Sequence, residues 1–144
     1  MIEIGVRGRW GVAMTVLALG GLAIATYLLV VRVLGEAPAC GPVRGCDTVA
    51  ASEYATVLGL PVALFGVGFS LALVAAAVVW WRQGDRRALY AAYALGLLGV
   101  AAVAYLTYLE LFVIEAICIW CVTYAVTIVA GLVPAILAVR SAPG

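Results

Sequence analysis

Histidine, lysine and asparagine are all missing from this chain of 144 residues, and charged residues of any kind make up only 10% of it. Those gaps remove imidazole and amine chemistry, and with them the commonest metal ligand and the commonest general base. Every basic residue is arginine, scattered through short connectors with a formal net charge of +1, so there is no electrostatic footprint for a nucleic acid. Proline- or serine-rich linkers, low-complexity tracts and internal repeats are also lacking. What fills the chain instead is apolar: hydrophobic residues reach 67% and the mean hydropathy is +1.23. No soluble core of this size hides that much apolar surface, so lipid must be the solvent.

Uncharged apolar stretches run over Trp10–Val31, Tyr54–Trp81, Ala88–Leu109 and Ala116–Val139. Each is long enough to cross a hydrocarbon core of ~30 Å as a helix rising ~1.5 Å per residue. Backbone groups in lipid must be satisfied within the segment, and these lengths suit helices rather than barrel strands. The reading is an all-α membrane protein, a four-helix bundle in one domain over 1–144. Its spans fall at about 10–33, 57–81, 88–109 and 116–139, with an outer loop at 34–56. Arg7 and Arg9 ahead of the first run, and Ala37-Pro38-Ala39 after it, resemble a signal peptide and its cleavage site. The run is much longer than the roughly 7–15 apolar residues of a signal peptide, so it is read as a retained span. Small residues such as Gly20-Gly21, Gly66, Gly68, Gly96 and Gly99 are read as close-packing positions between helices.

Arginine sets the orientation. Arg7, Arg9, Arg82, Arg86, Arg87 and Arg140 fall on one side of the bundle, and Arg32 and Arg44 on the other. The positive-inside rule places both termini in the cytoplasm, with the loop 34–56 and the turn Glu110–Glu115 outside. On this reading no ionisable residue lies within a span.

Four cysteines remain, in two close pairs, Cys40/Cys46 and Cys118/Cys121. Both reach the outer side, where disulfides form and persist. Gly41, Pro42 and Gly45 are turn residues that let the sulfurs of Cys40 and Cys46 meet. Asp47 or Thr48 is positioned to cap a short interfacial helix, and Gly59-Leu60-Pro61 marks its end. Cys118-Ile119-Trp120-Cys121 opens the fourth span, and its spacing puts both sulfurs on one helical face. The helix amino end favours thiolate while apolar burial opposes it. Taken alone, the first pair also suits a structural staple, and the two pairs together a fourfold thiolate metal site. An exposed pair and an embedded pair on one face point more to a relay by thiol–disulfide exchange. A small mercuric-ion transporter with paired thiolates is the alternative, but it needs a pair open to the cytoplasm.

The chain resembles the vitamin K epoxide reductase family, in particular its bacterial members. The resemblance rests on four spans, a cysteine pair in the first outer loop and a Cys-x-x-Cys at the start of the fourth span. It also rests on Ser52 six residues after Cys46, and on Gly59-x-Pro61 leading into Phe65-Gly66. The other quinone-linked thiol oxidase family of bacterial membranes carries its Cys-x-x-Cys early, the reverse of this order. The resemblance implies that Cys40 and Cys46 exchange with a separate thioredoxin-like protein outside the cell membrane. It implies that Cys118 then receives the electrons, that Cys121 faces a membrane quinone (menaquinone, ubiquinone or a relative), and that Ser52 supports the site. Phe65, Tyr105, Tyr108, Trp120 and Tyr124 are the aromatic candidates for a quinone pocket. No metal is expected. Eukaryotic members hold the quinone with an asparagine that this chain lacks, so plain quinone reduction is expected rather than reduction of vitamin K epoxide.

Overall fold

The computed structural model describes residues 2–35, 56–115 and 117–141. Among them the chain forms helix α1 (Ile2–Val33), a hairpin of β1 (Thr56–Val57) and β2 (Leu60–Pro61), then helices α2 (Val62–Gln83) and α3 (Arg86–Tyr108). A π-helical turn (Leu109–Val113) prolongs α3, and α4 (Ile119–Ser141) comes last. The architecture is almost wholly helical, and four segments are long and apolar enough to span a membrane: Arg7–Val33, Val62–Gln83, Arg86–Val113 and Ile119–Ser141. This is the multi-pass bundle that the apolar runs predict. The interfacial helix expected in the loop 34–56 lies outside the described residues, apart from the loop's two ends.

Helix α1 packs against α2 and α4, while α3 packs against α4 and α2. The bundle core is built mainly from small side chains. Ala77, Ala88, Ala92, Ala135 and Ala138 surround Met14, Trp80 and Leu89, whereas residues such as Val16, Leu71, Leu98 and Val126 face outward. That inversion is what lipid demands, because burying a leucine gains little there and close backbone approach gains dispersion. A Cβ built on Gly99 would lie 2.5 Å from Phe69 and 3.0 Å from Ile128, and one on Gly96 would lie 2.8 Å from Leu132. Gly21 and Gly66 both back onto Tyr124. Gly20 and Gly68, by contrast, face open space, so the packing role holds for only some of the expected positions.

Threonine hydroxyls inside the spans bond back to their own helix. Thr15 donates to the Gly11 carbonyl at 2.7 Å, Thr107 to Val103 at 2.7 Å and Thr123 to Ile119 at 2.8 Å. The α2–α3 connection is a two-residue turn. Gly84 ends α2 in the left-handed region (φ 70°), and its N–H reaches the Trp80 carbonyl at 2.8 Å. Asp85 then caps α3 by accepting from the Arg87 N–H at 2.9 Å.

The second span begins at Val62, five residues later than the expected boundary at 57. Leu58 (φ 55°) and Gly59 (φ 82°) both adopt the left-handed conformation that a two-residue hairpin turn requires, and β1 pairs with β2 across them. Pro61 disfavours helix at Leu60 and is itself the residue from which α2 starts. Arg32, at the end of α1, donates to the Thr56 hydroxyl at 3.0 Å and ties the hairpin to the first helix.

Candidate functional site

Cys118 is the last residue before α4, and Cys121 lies in its first turn. Both are free thiols. Cys118 is 2% exposed, and its sulfur accepts a hydrogen bond from the Cys121 N–H at 3.3 Å. This is helix capping performed by sulfur: a side chain just before the helix satisfies a backbone donor three residues on. The fourth helix therefore opens three residues later than the expected 116, and Cys118 ends the loop rather than sitting within a helical turn. The spacing of three brings the sulfurs together all the same. The hydrogen bond between the two thiols holds Cys118 below the ordinary thiol range, while burial and the charge of Glu110 push the other way.

Glu110 is the residue the sequence reading misplaces. It is expected outside, in a turn exposed to water; instead it is 4% exposed, and its carboxyl accepts from the Cys118 N–H at 3.4 Å. It also lies beside the Cys121 side chain, near enough to interact with the thiol. Glu110 lies seven residues beyond buried Val103 and so continues the inward face of the helix. Past Tyr108 the helix widens to π geometry, with the Ile114 N–H bonding the Leu109 carbonyl at 2.7 Å, and Leu109 is buried beside Glu110. Single π turns of this sort recur at functional sites. Glu115, in the left-handed conformation (φ 57°), then reverses the chain toward Cys118. One sequence signal was available: apolar residues continue on both sides of Glu110, through Leu111, Phe112, Val113 and Ile114, as they would not in a polar turn.

The aromatic candidates part company. Tyr124 points into the bundle, sharing a 3.0 Å hydrogen bond with buried Ser70 and donating to the Gly66 carbonyl at 3.3 Å. Trp120 packs on Tyr27 of α1 with ring centroids 4.7 Å apart. Phe65, Tyr105 and Tyr108 lie exposed on the outer face, and Tyr108 packs on Phe112 at 5.3 Å. Cys40, Cys46 and Ser52 lie outside the described residues. No group of three or more metal-binding side chains occurs among the residues described.

A partly buried dithiol beside a carboxyl, at one end of a bundle of four apolar helices, marks a membrane redox enzyme. The model of the vitamin K epoxide reductase family matches residues 12–136, through all four helices and the Cys-x-x-Cys, and the chain belongs to that family. It is accordingly a multi-pass membrane oxidoreductase, of a family that works with quinones and with thioredoxin-like redox partners in general. No curated protein matches the chain. Nothing in the match supports the mercuric-ion transport alternative.

Proposed function

We propose that this protein is a quinone-dependent thiol oxidase that renews a disulfide-forming catalyst outside the cytoplasm. A reduced thioredoxin-like protein, separate from this chain, attacks the Cys40–Cys46 disulfide. A freed shuttle thiol then attacks Cys118, and Cys121 leaves as the second thiol. Re-formation of the Cys118–Cys121 disulfide delivers two electrons to a membrane quinone, which departs as quinol. Both termini lie in the cytoplasm on this reading, since six of the eight arginines fall on their side. Ser52 helps hold the shuttle loop.

The observation that carries the reading is the paired free thiols at the start of α4, with one N–H already directed at the partner sulfur. A thiol that ionises readily leaves faster, so Cys118 suits its place in the relay, where it is released as the shuttle pair re-forms its disulfide. The surroundings also fit a lipid-soluble acceptor. Glu110 is a polar side chain set beside the thiols, and Trp120, between them in the chain, supplies an aromatic ring. Tyr124, the next phenol along α4, is already engaged within the bundle.

The test is reconstitution of the full chain in liposomes with a quinone and a reduced thioredoxin-like protein. Oxidation of that protein should require quinone and vanish in Cys118→Ser and Cys121→Ser. A membrane-impermeant thiol reagent should label Cys40 and Cys46 in cells once quinone turnover is blocked. Labelling from the cytoplasmic side alone would overturn the orientation and the relay together.

A further inference from the structure

Of the acidic and basic side chains described, Glu110 alone is buried, and it is placed against both thiols. A carboxyl withdrawn from water near a bilayer is costly unless it has a task. Accepting the Cys118 N–H accounts for part of the placement, because a helix amino end favours an acceptor there. It does not account for the second contact, with the thiol of Cys121. A neutral amide would serve the N–H as well and would be cheaper to bury.

We propose that Glu110 is a catalytic proton carrier for the dithiol, accepting the Cys121 thiol proton as the disulfide re-forms. The inference rests on the thiol-oxidase reading and names the route by which its protons leave. In one turnover the Cys118 and Cys121 S–H bonds break, the Sγ–Sγ bond forms, and two electrons and two protons pass to the quinone. Glu110 takes one of those protons from Cys121 as that sulfur becomes a nucleophile. It gives the proton up to the acceptor's oxygen and is left as carboxylate for the next cycle. Cys118 supplies the other proton. Among the described residues, the titratable groups facing the Glu110 carboxyl are Cys118 and Cys121 themselves. Glu115, the next acid in the chain, is exposed.

Glu110→Gln separates this role from a structural one, since the amide oxygen still accepts the Cys118 N–H but takes no proton. Two readouts are needed: oxidation of a reduced thioredoxin-like protein by the reconstituted chain with quinone, and alkylation of Cys118 against pH in the reduced chain without quinone. Turnover should fall by about 100-fold, the usual worth of a positioned general base. The alkylation profile should meanwhile move to lower pH, because the carboxylate charge that opposes Cys118 ionisation is gone. Glu110→Asp should recover turnover to within about tenfold, and Glu115→Gln should move neither readout. Thiols that ionise more readily yet turn over more slowly are the signature of a lost proton carrier.

E110Q turning over within twofold of wild type, or an unshifted alkylation profile, overturns the proposal. Should E110Q fail to insert, E110D carries the test: turnover lowered by up to about tenfold with the alkylation profile held at the wild-type position supports the proposal, and turnover within twofold of wild type overturns it. If the wild-type chain itself oxidises nothing in the presence of quinone, the thiol-oxidase reading falls and takes the proposal with it. A working wild type beside a working E110Q removes the proposal alone.

Discussion

The Cys121 N–H points at the Cys118 sulfur across 3.3 Å, so one residue both caps the fourth helix and takes part in the redox pair. The two tasks can be separated by substitution. Cys118→Ser keeps a capping oxygen, whereas Cys118→Ala leaves the N–H of the first turn without its partner. Both should abolish dithiol oxidation. Only the alanine variant should lose stability, by about 1 kcal/mol, which thermal unfolding in detergent would register.

Cys118 ionises more readily than an ordinary thiol chiefly because of its hydrogen bond with the Cys121 side chain. Removing that donor in Cys121→Ala takes away a stabiliser of the thiolate, so the folded value rises. Alkylation of Cys118 should then need a higher pH than in the reduced wild-type chain. A profile that stays in place, or falls, would show that the Cys121 thiol is not what holds Cys118 down.

Ser70 is fully buried and meets the Tyr124 hydroxyl at 3.0 Å, while that hydroxyl also donates to the Gly66 carbonyl. Tyr124→Phe deprives both groups and should cost about 1 kcal/mol. Ser70→Ala leaves Tyr124 its bond to Gly66 and should cost less. A double-mutant cycle read by thermal unfolding should show the two changes coupled rather than additive.

Gly99 and Gly20 form a matched pair of tests. Alanine at 99 must displace Phe69 and Ile128 and should destabilise the bundle by about 1–3 kcal/mol. Alanine at 20 meets nothing within 4 Å and should be neutral or slightly stabilising. Equal melting temperatures for the two variants would contradict the packing described.

Much of the molecule is readable from the chain alone, because lipid imposes one strong rule. A long apolar run must be a helix, and four runs became four helices, with the Cys-x-x-Cys opening α4. The failures share a cause. Val57 and Leu60 are apolar and read as the start of a span, yet the hairpin depends on the left-handed φ of Leu58, which no composition signals. Glu110 reads as an exposed turn acid because charge near a span end ordinarily seeks water. Its place seven residues after buried Val103 keeps it on the inward face instead. Gly20 and Gly96 are alike in sequence and differ in what lies opposite, which depends on helix rotation.

The π turn at Leu109–Val113 stores a matter of phase. The turn holds about one residue more than an α turn would, so losing one there changes the phase little, whereas losing one from α3 just ahead of it would rotate Glu110 by about 100° relative to the rest of the span. The carboxyl would swing off the sulfurs while the span stayed as long and as greasy as before. A chain so altered would still enter the bilayer and still carry every cysteine, with its acid facing lipid tails and its thiols left without their neighbour.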